Sequence, residues 1–219
     1  MIMEEIDDTQ GFSVQVGGGE VGVYSDFTVE DPGGYLNVTA NRITATNLPK
    51  ASVGGVYKYM GEGYFAHDFM HEFQMMITSG IENLMGSLTG YGIVNDGLTT
   101  YQAVYNPLDG SDPVGGIAVG LHPDETPKLR GFIRDCGTRV YINLDISWLQ
   151  QMLYFRVTRD SVNSTCEIYS DPDRTQLLGT GVVPTSDAVY STIQGLMFRG
   201  SPPATPEPII SGFVENLVY

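Results

Sequence analysis

Acidic residues recur in this sequence at spacings that bear on sugar chemistry: Asp68 with Glu72, then Glu167 with Asp171. Cleaving a glycosidic bond takes two carboxyls about 5–5.5 Å apart for retention, or about 6.5–9.5 Å for inversion. On a strand, positions i and i+2 lie about 6.6 Å apart on one face and would serve. Residues four apart lie about 13 Å from each other along the strand, which is too far. Glu5 to Asp8 crowd acids together, but at the extreme terminus, outside the strand pattern. A glycan-cleaving enzyme therefore lacks its expected pair. His67 and His71 in HDFMH would meet on a helix, as in HExxH. Here Glu72 follows the second histidine, and the surrounding pattern has period two, so packed strand histidines are expected. No GxSxG elbow is present, and the triple glycine at Gly17 to Gly19 is not GxGxxG.

The elements that must position these groups read as strands. From Phe65 to Ile77 the odd positions are mostly apolar and the even positions mostly polar. Leu36, Val38 and Ala40 alternate with polar neighbours, and Ile43 to Thr46 continues the pattern. Further strand-like runs are 131–134, 139–144, 153–159, 166–169, 196–199 and 212–218. Clusters such as DPGG, NDG, RDCG and SDPD separate them with turn chemistry. Short helical turns are expected at 81–88 and 146–151, and a short helix at 186–194 after Pro184. The 27 glycines suit bulges and tight loops better than helices. The expectation is an all-β chain of about a dozen strands in two packed antiparallel sheets. With no repeat and no clear linker, residues 1–219 read as one domain, with 1–25 as an extra strand or arm.

Charge narrows the partners. The net charge of -15 opposes nucleic acid and anionic membrane surfaces. The distribution is uneven: residues 1–127 carry -14, residues 128–159 carry +4 and the remainder -5. Arg130 and Arg134 in the positive stretch would share a strand face. Guanidiniums grip carboxylates bidentately, so an acidic sugar, an acidic neighbouring protomer or internal ion pairing are all open targets. No stretch reaches the ~18–20 apolar residues of a membrane span, and MIMEEIDDTQ has no signal-peptide pattern. Cys136 and Cys166 form no framework and read as free thiols.

Four segments, in order, carry a resemblance: YLNVTANRITATNL, YKYMGEGYFAHDFMHEFQMMITSG, LYFRVTRDSVNSTCEIYSDPDRTQLLGTG and SGFVENLVY. Together they resemble the concanavalin A-like lectin/glucanase superfamily, particularly its laminin G-like jelly rolls, over most of residues 26–219. The resemblance implies an antiparallel two-sheet jelly-roll sandwich. In Leu153 to Arg159 the alternation turns Tyr154 and Arg156 outward. By the resemblance, Glu72 and Gln74 lie on the same sheet surface, which gives a glycan-facing set; an ordinary solvated face is the alternative. The resemblance also implies a structural calcium near the termini, with Asp31 and Glu215 as candidate ligands. The loop Asn106 to Asp112 is a second candidate by its oxygen ligands. The expected function is non-catalytic carbohydrate recognition, with acidic glycans included. The alternative is a structural or adhesive protein that works as a homo-oligomer, such as a virion or cell-surface component.

Overall fold

The computed structural model describes residues 22–49, 55–65, 68–80, 86–95, 116–123, 128–135, 138–147, 150–187, 189–200 and 209–219. Among the described residues there is no α-helix; the chain is strand and turn. The strands are β1 (Thr28–Glu30), β2 (Leu36–Val38), β3 (Arg42–Pro49), β4 (Gly55–Tyr59), β5 (Phe69–Gly80), β6 (Gly86–Asn95) and β7 (Gly116–Pro123). They continue as β8 (Lys128–Asp135), β9 (Thr138–Ser147), β10 (Leu153–Arg159), β11 (Asn163–Tyr169), β12 (Leu177–Pro184), β13 (Tyr190–Gly200) and β14 (Ile209–Val218). Two seven-stranded sheets result. One runs β12-β11-β10-β5-β14-β3-β2 and is called here the β5 sheet; the other runs β1-β4-β13-β6-β7-β8-β9 and is called the β8 sheet. All pairings are antiparallel. The all-β, two-sheet reading of the sequence is the architecture observed.

The period-two alternation of β5 sends His71, Phe73, Met75 and Ile77 into the space between the sheets and Glu72 and Gln74 out of it. The strand starts at Phe69 rather than Phe65. Gly61 and Gly63 adopt left-handed φ values of 113° and 69°, and Tyr64 and Phe65 close a turn against Gly61 and Tyr190. In the core, the Phe73 ring stacks on Phe155 of neighbouring β10 at 4.6 Å and on Tyr91 of the facing sheet at 5.6 Å. Such ring pairs add stability beyond the area they bury. Beside the stack, the Tyr91 hydroxyl lies 2.5 Å from His71 Nδ1, and Phe69 covers the imidazole.

A polar clamp crosses the same space. Buried Asp135 of β8 accepts hydrogen bonds from Ser164 of β11 at 2.7 Å, Ser186 at 2.7 Å and Tyr190 of β13 at 2.6 Å. Three hydroxyl donors compensate the desolvation of that carboxylate. At the β12 edge the sheets approach so closely that only glycine fits. A Cβ on Gly181 would lie 2.8 Å from Ile142 Cγ1, and one on Gly179 would lie 2.6 Å from Ile142 Cγ2.

Three expectations of helix change. Residues 190–194 of the segment 186–194 are strand β13, because Tyr190 and Ile193 are needed in the core. Residues 86–88 belong to β6 and 146–147 to β9; the rest of those two turns lies at least partly outside the described residues. Strands β4, β6, β7 and β12 had no strong alternation to announce them. Glycines interrupt the apolar pattern in all four, and Gly90, Gly120, Gly179 and Gly181 sit where a neighbouring strand or side chain approaches closely. Of the segment 1–25, only 22–25 are described, and buried Tyr24 there opens a 3-10 turn. Cys166 is a free, buried thiol, which burial pushes well above the usual thiol range; Cys136 lies outside the described residues.

Two outcomes follow for stability. Gly181→Val should overpack the β12 edge and cost about 1–3 kcal/mol in urea unfolding, and adding Ile142→Ala should recover part of the loss. Burial lowers the His71 pKa from 6.5 to about 3. The stability from a neutral His71 is then complete above the unfolded value and drains away as pH falls toward 3, on the order of a few kcal/mol. A His71→Gln variant should show a shallower acid loss in urea midpoints from pH 7 to 4; a slope equal to the wild type would refute this assignment.

Candidate functional site

The outer face of the β5 sheet is built by register. Pairing of β10 with β5 sets Tyr154 opposite Gln74 and Arg156 opposite Glu72. Pairing of β10 with β11 adds Tyr169 beside Tyr154 and Glu167 beside Arg156. The four residues that the sequence nominates on this face, Tyr154, Arg156, Glu72 and Gln74, are thus brought together in two adjacent rows.

Their charges are engaged with one another. Arg156 Nε donates to Glu72 Oε1 at 2.9 Å, and its Nη1 lies 3.9 Å from Glu167 Oε2. Arg174, from the turn between β11 and β12, reaches back over the sheet to place Nη1 3.2 Å from Glu72 Oε2. Guanidiniums and carboxylates therefore alternate as Arg174, Glu72, Arg156, Glu167. Burial works against the Arg156 charge, but Glu72, Tyr169 and Glu167 outweigh it and raise its pKa. Sequence reasoning missed Arg174, whose backbone is left-handed at φ 53°. Asp171 holds that turn by accepting from the Thr175 and Gln176 amides, a cap that the run DPDRTQ contains but whose direction it does not disclose.

One row along, Glu215 of β14 pairs with Gln74 on one side and Arg42 of β3 on the other. The Arg42 guanidinium forms an ion pair with Glu215 and lies 4.1 Å over the Phe213 ring. Glu215 is therefore committed to Arg42. Asp31, the other candidate calcium ligand, accepts from the Leu36 amide through Oδ2, while its Oδ1 is buried without a partner. That orphaned oxygen could welcome a cation, but among the described residues no three His, Cys, Asp or Glu side chains gather to hold one. Asp31 and Glu215 do not fit a shared calcium site. The loop Asn106 to Asp112 lies outside the described residues, as do His67, Glu5 to Asp8 and Gly17 to Gly19.

Arg130 and Arg134 lie elsewhere. On β8 they alternate with Leu129 and Ile133, which point into the core, so both arginines turn to the outer face of the β8 sheet. A ligand on the Tyr154 face cannot reach them through the sandwich. The positive stretch 128–159 is accordingly divided: Arg130, Arg134 and Arg139 on one outer face, Arg156 on the other. Arg159 is buried against the carbonyls of Phe65 and Ser186.

The arrangement on the β5 sheet offers donors, acceptors and a phenol ring on one surface. His71 points to the opposite side of β5 from Glu72. The acids sit in ion pairs, unlike a carboxyl kept neutral in an apolar pocket to act as an acid.

The basic winged bean lectin with Tn-antigen superposes with a TM-score of 0.55 at 11% identity, covering 88% of this chain and 93% of the lectin. The VIP36 exoplasmic/lumenal domain in its Ca2+-bound form gives 0.53 at 14% identity, covering 92% and 91%. This chain has the concanavalin A-like jelly-roll fold. The same jelly roll is shared with an alginate lyase from Alteromonas sp.272, at a TM-score of 0.54 and 8% identity over 90% of this chain and 95% of the lyase. No protein-family model and no curated protein matches the sequence. At these identities the likeness establishes the concanavalin A-like fold, and function must be argued from the site.

If the four charges form one network, Glu72 and Arg174 should be coupled in a double-mutant cycle. Pairing Glu72→Gln with Arg174→Met should give about 0.5 kcal/mol of interaction, and Glu72→Gln with Arg42→Met close to none. Additivity in both cycles would show that the alternating array carries no energy.

Proposed function

We propose that this chain is a non-catalytic carbohydrate-recognition module that binds glycan on the outer face of the β5 sheet. The observation that carries the reading is the register that puts Tyr154 and Gln74 side by side next to Arg156 and Glu72. A phenol ring gives a sugar ring an apolar platform, and the amide, guanidinium and carboxylate give its hydroxyls partners of both kinds. Support comes from the company of the fold: the winged bean lectin was solved with Tn-antigen, and a VIP36 structure is a Ca2+/Man3GlcNAc-bound form. Calcium, which that VIP36 form contains, has no assigned ligands here, since Glu215 is held by Arg42.

Assembly is the second reading. Val162, Leu177 and Val182 are exposed apolar residues at or beside the β12 edge of the β5 sheet. Among the described residues β12 ends its sheet, and an edge with apolar side chains favours contact with another copy. A virion or cell-surface role belongs to this second reading.

A glycan array spanning neutral and acidic sugars, with and without calcium, separates the two. Binding should appear, and Tyr154→Ala or Gln74→Ala should weaken it at least about fivefold, near 1 kcal/mol. Absence of any glycan binding, together with a stable oligomer in light scattering, would replace recognition by assembly. Polysaccharide turnover by the purified chain would overturn the non-catalytic part.

A further inference from the structure

On the outer face of the β5 sheet, Glu72 sits in a cradle formed by two guanidiniums. Arg156 Nε donates to its Oε1 at 2.9 Å, and Arg174 Nη1 lies 3.2 Å from its Oε2. Each carboxylate oxygen thus has a cation of its own, one from β10 and one from the turn before β12. Guanidiniums so placed would grip any carboxylate, the chain's own or a ligand's. The cradle meets solvent: the Glu72 and Arg156 side chains are 22% and 32% exposed.

The neighbouring acids do not share this arrangement. Glu167 approaches Arg156 alone, at 3.9 Å, and Glu215 pairs with Arg42. Among the described residues, Glu72 is the carboxylate that bridges two arginines. Arg174 is brought there against backbone preference, since it is left-handed at φ 53° without being glycine. Backbone strain of this kind collects where a side chain has to be aimed. The charges around the cradle balance, with Arg156 and Arg174 against Glu72 and Glu167. A ligand carboxylate would be a third anion for two cations, on a chain of net charge -15. A neutral sugar adds no charge and still meets Tyr154 and Gln74 one row away.

We propose that Glu72 is the specificity-determining residue of this face. It stands where the carboxylate of an acidic sugar would bind, and so restricts the site to neutral glycans. The proposal rests on the carbohydrate reading of the β5 sheet and adds a ligand class to it. Specificity of this kind works by repelling the wrong ligand as much as by contacts with the right one. Replacing Glu72 by its uncharged isostere removes that barrier and leaves both arginines facing the incoming ligand.

Calorimetric titration of the full chain with trigalacturonate, and with its trimethyl ester as the uncharged counterpart, tests this at low and high salt. Glu72→Gln should bind trigalacturonate at least tenfold more tightly than the wild type, with affinity for the ester unchanged. The gain should shrink in high salt and vanish when Arg174→Met is added. Glu167→Gln, which releases Arg156 from its more distant partner only, should give a smaller gain. The pairs removed are partly exposed and weak, so these variants should melt close to the wild type. If Glu72→Gln gains no affinity for trigalacturonate, Glu72 is an ordinary surface ion pair and the proposal is refuted. The recognition reading then still stands if the wild type binds a neutral glycan in a Tyr154-dependent manner. If the wild type binds trigalacturonate as tightly as the variant does, the selectivity is likewise refuted. If the variant's gain survives Tyr154→Ala and the wild type binds no saccharide, the cradle takes anions alone and both readings fall.

Discussion

The pairing of Phe73 with Phe155 is the contact on which the outer chemistry depends. The two residues face each other across β5 and β10 with rings nearly parallel at 8°. Because side chains on a strand alternate with period two, fixing that pair inside fixes Glu72 against Arg156 and Gln74 against Tyr154 outside. A slip of one residue would put Glu72 into the apolar core and Phe73 into water. The aromatic stack thus supplies the energy for a register that the exposed ion pairs, weakened by solvent, could not hold alone. Tyr91 extends the same stack to the opposite sheet, so the face-to-face packing of the sandwich shares this origin.

The two outer faces solve the problem of polar groups differently. On the β5 sheet the charges satisfy one another in the sequence Arg174, Glu72, Arg156, Glu167, and Glu215 is taken by Arg42. Such a surface is preorganised, and a ligand there competes with partly exposed ion pairs that are individually weak. On the β8 sheet, among the described residues, Thr89 Oγ1, Ser191 Oγ and Gln194 Oε1 are buried with no hydrogen-bond partner. Leaving them so costs stability. Between the faces, Asp135 and its three hydroxyl donors tie β8, β11 and β13 together at one end. The interior contributes cohesion.

Much of this was legible in the residue order. Thirteen residues of alternation from Phe65 to Ile77 announced the central strand and both of its faces, and the runs at 153–159 and 166–169 announced its neighbours. The glycine-rich strands β6, β7 and β12 were not legible, because a glycine removes the apolar mark while serving the close approach that the sheet needs. Tyr190 and Ile193 read as part of a short helix at 186–194, and tertiary demand for their side chains in the core made them strand.

The sequence by itself determined the fold class and the outward direction of Tyr154, Arg156, Glu72 and Gln74, since alternation is a local property of the chain. Which strands lie side by side was decided by the tertiary structure alone. That pairing gathers Glu72, Arg156 and Glu167 from positions as distant as 72 and 167, brings Arg174 over them, and hands Glu215 to Arg42. It also sends Arg130 and Arg134 to the far side of the sandwich, although they lie only 26 and 22 residues before Arg156 in a stretch of common charge. The physical reason is that charge summed along a chain has no direction. A strand carries its neighbours in sequence to one sheet or the other, and only packing of the two apolar faces settles which.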